Sequence, residues 1–311
     1  MLNANPYLER VRNLNVNRHG ERRAPHKPLL LLIAIARLLR GERELPFREV
    51  ESMLRPLLVC YAPSVQGRHE PKLPYWHLRS DGLWDIPEAD RLPLQAGGFP
   101  RMEALRSSSG HLTDDFAEAL LASPGLAQAV IRILLDEHFP ESLHEDILAS
   151  VGLEWPQSTD VDRVADGDRV TYTARRRDPK FRREVLKAYE HRCAVTGFQI
   201  ALGGTYFGCE AAHVQWHAYG GPDSVDNGFA VEPTLHKLFD AGAWTMTDER
   251  RVLVSAELTG ADATVQRIRS LHGEAMRAPL SGASAVSVEY IRWHREADLG
   301  GVFKHPALPL R

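Results

Sequence analysis

The tightest constraint on this chain lies between Cys193 and Met246, where strand-like and helix-like patterns follow one another within a short stretch. Glu210-Ala211-Ala212-His213-Val214 reads as a strand, and Ala218-Tyr219-Gly220-Gly221-Pro222 as a loop. Asn227-Gly228 brings the chain back into a second strand, Phe229-Ala230-Val231. Thr234 is then placed to cap a helix that begins Leu235-His236-Lys237-Leu238-Phe239-Asp240. His236 and Asp240 stand four residues apart, so they lie one above the other on a single helical face.

Phosphodiester hydrolysis needs a base that takes a proton from water, and a metal that neutralises phosphate charge and stabilises the leaving oxygen. The base must also be held in one tautomer and orientation. A hairpin carrying the base, followed by a helix carrying metal ligands, meets these needs in little chain. With its Ala-Ala-His strand and His-Lys-Leu-Phe-Asp helix, the segment resembles the HNH endonuclease family, densely over about a fifth of the chain and more loosely from Arg175 to the C-terminus. The resemblance implies a ββα-metal fold with His213 as general base, Asn227 as the residue that pins the loop and orients it, and His236 as a metal ligand. Asp240 would be a second ligand one turn on. Many family members carry a ligand immediately before the base, and here that position is Ala212. Asp240 is the preferred substitute, with Glu210 and His217 as alternatives. The family's frequent zinc-binding cysteine cluster is also missing, so Phe207, Trp216, Phe239 and Trp244 are expected to pack in its place. Magnesium or manganese is the expected ion, and a histidine-ligated site would also accept nickel, cobalt or zinc.

The fold class expected is α+β. The first part reads mainly helical, with an apolar helix over Leu29–Leu39 and a second over Phe47–Tyr61 carrying Val50, Met53, Leu54, Leu57 and Leu58 at helical spacing. Tyr75-Trp76-His77-Leu78 and Leu83-Trp84-Asp85-Ile86 flank Asp81-Gly82, which signals a hairpin. Helices with a hairpin suggest a winged-helix-like arrangement. Further helices are expected after Thr113, from Pro124 towards Phe139, and over Glu141–Leu153. The expected domains are 1–153, a polar linker over 154–170, and 171–311. A helix starting near Pro179 buries Phe181, Val185, Leu186 and Tyr189. Its remaining faces join Arg175, Arg176, Arg177, Lys180 and Arg182 in a basic patch suited to a DNA backbone, although a solvated helix face reads the same way.

The N-terminal segments Arg23 to Leu31 and Leu73 to Leu78, with Asp81-Gly82-Leu83-Trp84, resemble the sulfur-binding domain of phosphorothioation-dependent, type IV restriction endonucleases. The order of reader and nuclease is similar too. The resemblance implies double-stranded, phosphorothioate-modified DNA as partner. Sulfur in place of a non-bridging oxygen keeps the charge but is larger and less hydrated, so a selective site combines an apolar dimple with cations. Pro74, Tyr75, Trp76 and His77 are candidates for the dimple, and Arg23, His26, Lys27, Arg68 and Arg79 for the charge. Arg106, Ser107, Ser109 and His111 lie in what reads as a polar loop suited to phosphates or base edges. Tyr75 and Trp76 as plain core, and Lys27 as a solvated helix start, are the alternatives. A reader of methylated bases or of sequence, or a DNA-binding protein with a degenerate nuclease domain, stays open.

A net charge of −3 excludes a uniformly basic DNA-coating protein but leaves room for local patches. The longest apolar run, Pro28 to Leu39, is too short to span a bilayer and is internal, so neither a membrane span nor a signal peptide is expected, and the location expected is cytoplasmic. Three separated cysteines without a CxxC pair exclude a four-cysteine zinc site within the chain. One HNH site per chain cuts two strands most simply as a homodimer.

Overall fold

The computed structural model describes residues 5–15, 25–62, 70–154, 179–296, 299 and 301–309. The chain divides into two units, Met1–Ala62 with His69–Arg175, and Pro63–Arg68 with Arg176–Arg311. The expected linker falls almost wholly outside the described residues.

The first unit is organised around a helix that is apolar on every side. Helix α1 (Pro6–Arg12) opens with Pro6 in its first turn and an Asn5 side chain accepting from Tyr7 N–H at 3.0 Å. Helix α2 (His26–Leu39) follows, with Leu29, Leu30, Leu31, Leu32 and Ile35 fully buried. Such a helix is stable only when neighbours surround it, and α2 packs against several. A short strand β1 (Leu45–Pro46) leads into α3 (Phe47–Tyr61), which turns Phe47, Val50, Leu54, Leu57, Leu58 and Tyr61 inward. Then come α4 (Lys72–His77), β2 (Trp84–Asp85), α5 (Met102–Arg106) and β3 (Ser109–Leu112). Helices α6 (Asp114–Ala122), α7 (Pro124–Asp136) and α8 (His144–Val151) complete the unit. The three strands form an antiparallel sheet in the order β1-β3-β2.

Two sequence expectations are corrected here. The Asp-Gly hairpin does not form: residues 72–77 are helical, Leu78–Asp81 is a 3₁₀ turn, and Gly82 ends it in the left-handed region at φ +67°. Tyr75 and Leu78 sit at helical spacing and are both fully buried, and that burial decides the local structure. Trp84 and Asp85 pair instead with Leu112 and His111 across β3, so the wing expected from these segments is absent. Residues 106–111 are likewise no loop, since Ser109 and His111 lie in β3 and only Arg106 and Ser107 stay exposed at the end of α5.

In the second unit α9 (Pro179–Ala188) buries Phe181, Val185 and Leu186, with Tyr189 just beyond its end. A small exposed hairpin, β4 (Ile200–Leu202) and β5 (Thr205–Phe207), precedes the central one. In that central hairpin β6 (Glu210–His213) pairs antiparallel with β7 (Gly228–Val231), setting His213 opposite Gly228 and Glu210 opposite Val231. Helix α10 (Pro233–Asp240) follows, then β8 (Trp244–Met246), β9 (Val252–Val254), α11 (Asp262–Arg269) and α12 (Val288–Arg295). Helix α10 begins at Pro233 with Glu232 at its cap position, so Thr234 is not the cap; proline's fixed φ suits the first turn.

Phe229, Phe239 and Trp244 pack on one another at centroid separations of 4.8–5.9 Å, and the Trp244 indole donates to the Leu235 carbonyl at 2.8 Å. Phe207, expected in this core, is 51% exposed, and Trp216 packs separately with Tyr219, Trp293 and Val302. Behind α10 lies the fully buried His294, stacked on Phe239 at 3.8 Å. It donates from Nε2 to the Phe239 carbonyl (3.1 Å), and its Nδ1 meets the Thr245 hydroxyl (2.9 Å).

The crossing of β2 and β3 gives a test of the first unit. A Cβ at Gly110 would stand 2.4 Å from the buried Trp84 ring, whereas one at Gly97 would meet nothing within 4 Å. Gly110→Ala should cost about 1–3 kcal/mol by overpacking. Urea unfolding should place its midpoint well below that of Gly97→Ala, which should match the parent chain.

Candidate active site and DNA-reading surface

The central hairpin is tied together by one fully buried side chain. Asn227 accepts from the Gln215 N–H at 2.9 Å and donates from Nδ2 to the carbonyls of Gln215 (3.1 Å) and Pro222 (3.0 Å). The backbones are also joined, Val214 N–H donating to the Asn227 carbonyl at 2.9 Å. Gly221 is needed beside this knot: a Cβ there would lie 2.0 Å from the Gln215 carbonyl oxygen. These bonds fix the loop between the strands, and none of them runs to the His213 ring.

His213, at the end of β6, is 7% exposed, and its contacts include an aromatic ring and a carboxylate. Its ring stacks on Phe181 of α9 at 3.9 Å and 14°, and its Nε2 lies 2.8 Å from Oδ1 of Asp223. Phe181 can approach this closely because the residue opposite His213 is glycine: a Cβ on Gly228 would stand 2.7 Å from the Phe181 ring. His217 Nε2 is 4.0 Å from the other Asp223 oxygen, so His217 stands on the same carboxylate. Asp223 was not singled out in the sequence; it lies in a polar loop and has no periodic pattern to mark it.

His236 forms the second half of the site. Its Nδ1 lies 2.7 Å from Glu210 Oε2 and its Nε2 3.2 Å from Asp240 Oδ2. Burial alone would push this imidazole down, but the Asp240 and Glu210 carboxylates overturn that effect and raise its pKa to about 9. The His236 hydrogen bond holds the Glu210 carboxyl below its usual range, against its partial burial, with the Arg182 charge adding to the effect. Ala212, in the position before the base, is fully buried and has no donor to offer.

This cluster bears on metal binding. The two carboxylates sit at opposite nitrogens of one ring, and no group of three His, Cys, Asp or Glu side chains among the described residues closes round a common point. One nitrogen with the carboxylate beside it does fit a divalent ion, since the proton on His236 now supplies positive charge between two anions. Such an N,O donor set suits first-row divalent ions. Burial pushes the Cys209 thiol up to about 11.

The candidates for the reader fall into three groups. Trp76 and His77 come together on Phe99, each 6.0 Å from its ring, and the Arg79 guanidinium lies 4.4 Å from the Trp76 ring centroid. Lys72 adds a second cation 5.8 Å from the Phe99 ring. Pro74 is buried on α4 and His26 is half-buried on α2. Lys27 and Tyr75 belong to the interior. Lys27 Nζ is 2.5 Å from Asp81 and 2.7 Å from the Asn15 carbonyl, a buried ion pair that ties α2 to the turn after α4. Tyr75 donates to the Leu45 carbonyl at 3.2 Å. Arg106 pairs with Glu51 at 3.2 Å, Ser107 donates to the Glu103 carbonyl, and His111 lies in β3 opposite Asp85. On the nuclease side Lys180 and Arg182 are exposed on α9. Arg23, Arg68, Arg175, Arg176 and Arg177 lie outside the described residues. No single helix among the described residues is long and apolar enough to cross a membrane.

His236 and the nearby His294 bend the stability of the second unit with pH in opposite directions. The raised His236 pKa stabilises the fold fully below its ordinary 6.5 and is lost as pH climbs through about 9. Burial depresses His294 to about 4, so its contribution is present above 6.5 and is lost as pH falls through about 4. Each is worth roughly 3 kcal/mol at most. Urea midpoints measured in EDTA should therefore fall towards pH 9.5 and again towards pH 4, and His236→Ala should remove only the alkaline loss.

Residues 4–155 match the family of ScoMcrA-like DNA sulfur-binding domains, and residues 193–247 match an HNH endonuclease family. Among solved structures, the chain is similar to the sulfur binding domain of ScoMcrA complexed with phosphorothioated DNA. That match has 26% identity and a TM-score of 0.41, and covers 47% of this chain and 95% of that one. It is also similar to the type IV phosphorothioation-dependent restriction endonuclease ScoMcrA, at 28% identity and TM-score 0.39 over 49% of this chain and 34% of that one. The sulfur binding domain of SprMcrA complexed with phosphorothioated DNA matches at 27% identity and TM-score 0.38, over 48% of this chain and 93% of that one. The chain thus spans about a third of the ScoMcrA endonuclease. Among curated proteins none matches it. The N-terminal part of the chain thus matches the ScoMcrA-like DNA sulfur-binding domain family, and the C-terminal part an HNH endonuclease family.

Proposed function

We propose that the chain is a modification-dependent restriction endonuclease that binds phosphorothioated double-stranded DNA and hydrolyses phosphodiester bonds nearby. The observation that carries this reading is His213 at the end of β6, with the Glu210–His236–Asp240 cluster beside the same hairpin, in a chain with a sulfur-binding-type domain. The reader is assigned to 1–153, the linker to 154–170 and the nuclease to 171–311. Its place of action is the cytoplasm.

In this account His213 takes the proton from water, and Asn227 holds the loop that frames it. A divalent ion, magnesium or manganese, with nickel, cobalt or zinc also accepted, supplies charge neutralisation at the phosphate when bound. His236 would hold it together with one carboxylate. Exposure favours Glu210, whose side chain is 45% exposed against 3% for Asp240, because an ion that meets a phosphate needs an open side. Asp240 then fixes the ring from behind. This reverses the preference for Asp240 drawn from the sequence. Lys180 and Arg182, together with Arg175, Arg176 and Arg177, would lie along the backbone.

The Trp76, His77 and Arg79 surface supplies the contacts that suit sulfur, polarizable apolar rings with cations beside them, and Pro74 and His26 are proposed to complete it. Lys27 and Tyr75 shape that surface from within. Arg23 and Arg68 are proposed as backbone contacts, and Arg106, Ser107, Ser109 and His111 as a secondary strip towards the DNA. Cutting both strands with one site per chain is assigned to a homodimer.

Matched duplexes with and without a phosphorothioate test both halves together. The parent chain and His213→Ala should bind only the modified duplex in EDTA, and only the parent should cut it in Mn²⁺, the variant losing at least about 100-fold in rate. Trp76→Ala should weaken modified-duplex binding by about tenfold or more, a loss of about 1.4 kcal/mol. Equal binding and cutting of both duplexes would remove the sulfur reader. Binding without any cutting would remove the nuclease.

A further inference from the structure

His213 touches a carboxylate that neither the HNH pattern read from the sequence nor the metal cluster accounts for. Asp223 Oδ1 lies 2.8 Å from His213 Nε2, the other Asp223 oxygen faces His217 Nε2 at 4.0 Å, and the Asp223 side chain is 23% exposed. Its place is set by the hairpin. Asn227 Nδ2 donates to the carbonyl of Pro222, the residue directly before Asp223. Gly221, one residue further back, fits only because it lacks a Cβ, and its N–H donates to the Trp216 carbonyl at 3.1 Å. The ring stacks on its flat side against Phe181, and Asp223 stands at its edge, where it bears on rotation within the plane.

We propose that Asp223 is the positioning residue for His213. A carboxylate only accepts, so the neutral imidazole must carry its proton on Nε2 and its lone pair on Nδ1. Nδ1 then takes a proton from water while the water oxygen forms the new bond to phosphorus. The bridging P–O bond breaks, and its oxygen leaves with a proton from solvent. The imidazolium so formed has its Nε2–H against the Asp223 charge, as in carboxylate-backed histidine bases generally. Asn227 is thereby linked to the base through the Pro222-Asp223 backbone rather than by touching the ring. This inference rests on the nuclease reading above for its kinetic consequence, but not for its structural one.

The test uses the full chain and Asp223→Asn, Asp223→Ala and Asp223→Glu. Nitrogen-15 spectra of the histidines in EDTA should show neutral His213 as the Nε2–H tautomer in the parent. Asp223→Ala and Asp223→Asn should lose that signature, the amide being able to donate to Nε2 and favour the other tautomer. With modified duplex and Mn²⁺, both should lose about 100-fold or more in single-turnover rate, with unchanged duplex binding in EDTA, and Asp223→Glu should recover part of that loss. A parent His213 protonated on Nδ1 in its neutral form overturns the proposal, and so does full cleavage by Asp223→Asn. If the parent cuts no substrate, the nuclease reading fails, and the tautomer spectra alone decide whether Asp223 sets the ring.

Discussion

The buried amide of Asn227 is the constraint on which the second unit's chemistry depends. Its hydrogen bonds reach Gln215, just past the end of β6, and Pro222, across the loop, so one side chain sets both the hairpin register and the loop path. An apolar residue there would leave two carbonyls and an N–H buried without partners, at about 1–3 kcal/mol for each orphaned group. Gly221 and Gly228 belong to the same design, one allowing the loop to close on Gln215 and the other admitting Phe181 over His213. A hairpin this short has little core of its own. Its geometry is held by this polar knot and by α9 and α10 packed against it.

Around that hairpin, charge is arranged by contrast. His236 is buried between two carboxylates and keeps a proton; His294, equally buried behind the same helix, is bonded to a carbonyl and a hydroxyl and stays neutral. Burial works against charge in both, so the difference comes from the partners. The same logic appears in the first unit. Lys27 is buried because Asp81 and the Asn15 carbonyl meet its ammonium, and Asp81 in turn accepts the Asn15 N–H at 2.6 Å. A cation that looks available for phosphate in the sequence serves instead to join α2 to the turn below the aromatic surface. Breaking such a buried pair costs more than keeping it gains, which suits a positioning role.

Much of this was legible in the sequence where local pattern and burial agree. Apolar residues at helical spacing gave α3 its observed bounds, Phe47–Tyr61, and the buried face of α9 at Phe181, Val185 and Leu186. The alternation and the Asn-Gly return gave β6 and β7 to within a residue. The failures come from non-local partners. Asp81-Gly82 carries a hairpin signal, but its neighbours Tyr75 and Leu78 are drawn into the core as a helix, and Trp84 finds its strand partner in Leu112. Lys27 pairs with a residue far along the chain. The i,i+4 spacing displays Asp240 beside His236, while nothing local places Glu210 against the other nitrogen of that ring. Asp223 carries no pattern, only a position that the fold creates.

In the proposed nuclease site a divalent cation takes the place of the proton that His236 holds. Calorimetric titration of Mn²⁺ into the chain at pH 7.5, in buffers of different ionisation enthalpy, counts protons released on binding. About one proton per ion is expected, with Glu210→Gln weakening the binding and His236→Ala abolishing both binding and release. Binding of Mn²⁺ without proton release, or with equal affinity in His236→Ala, would contradict it.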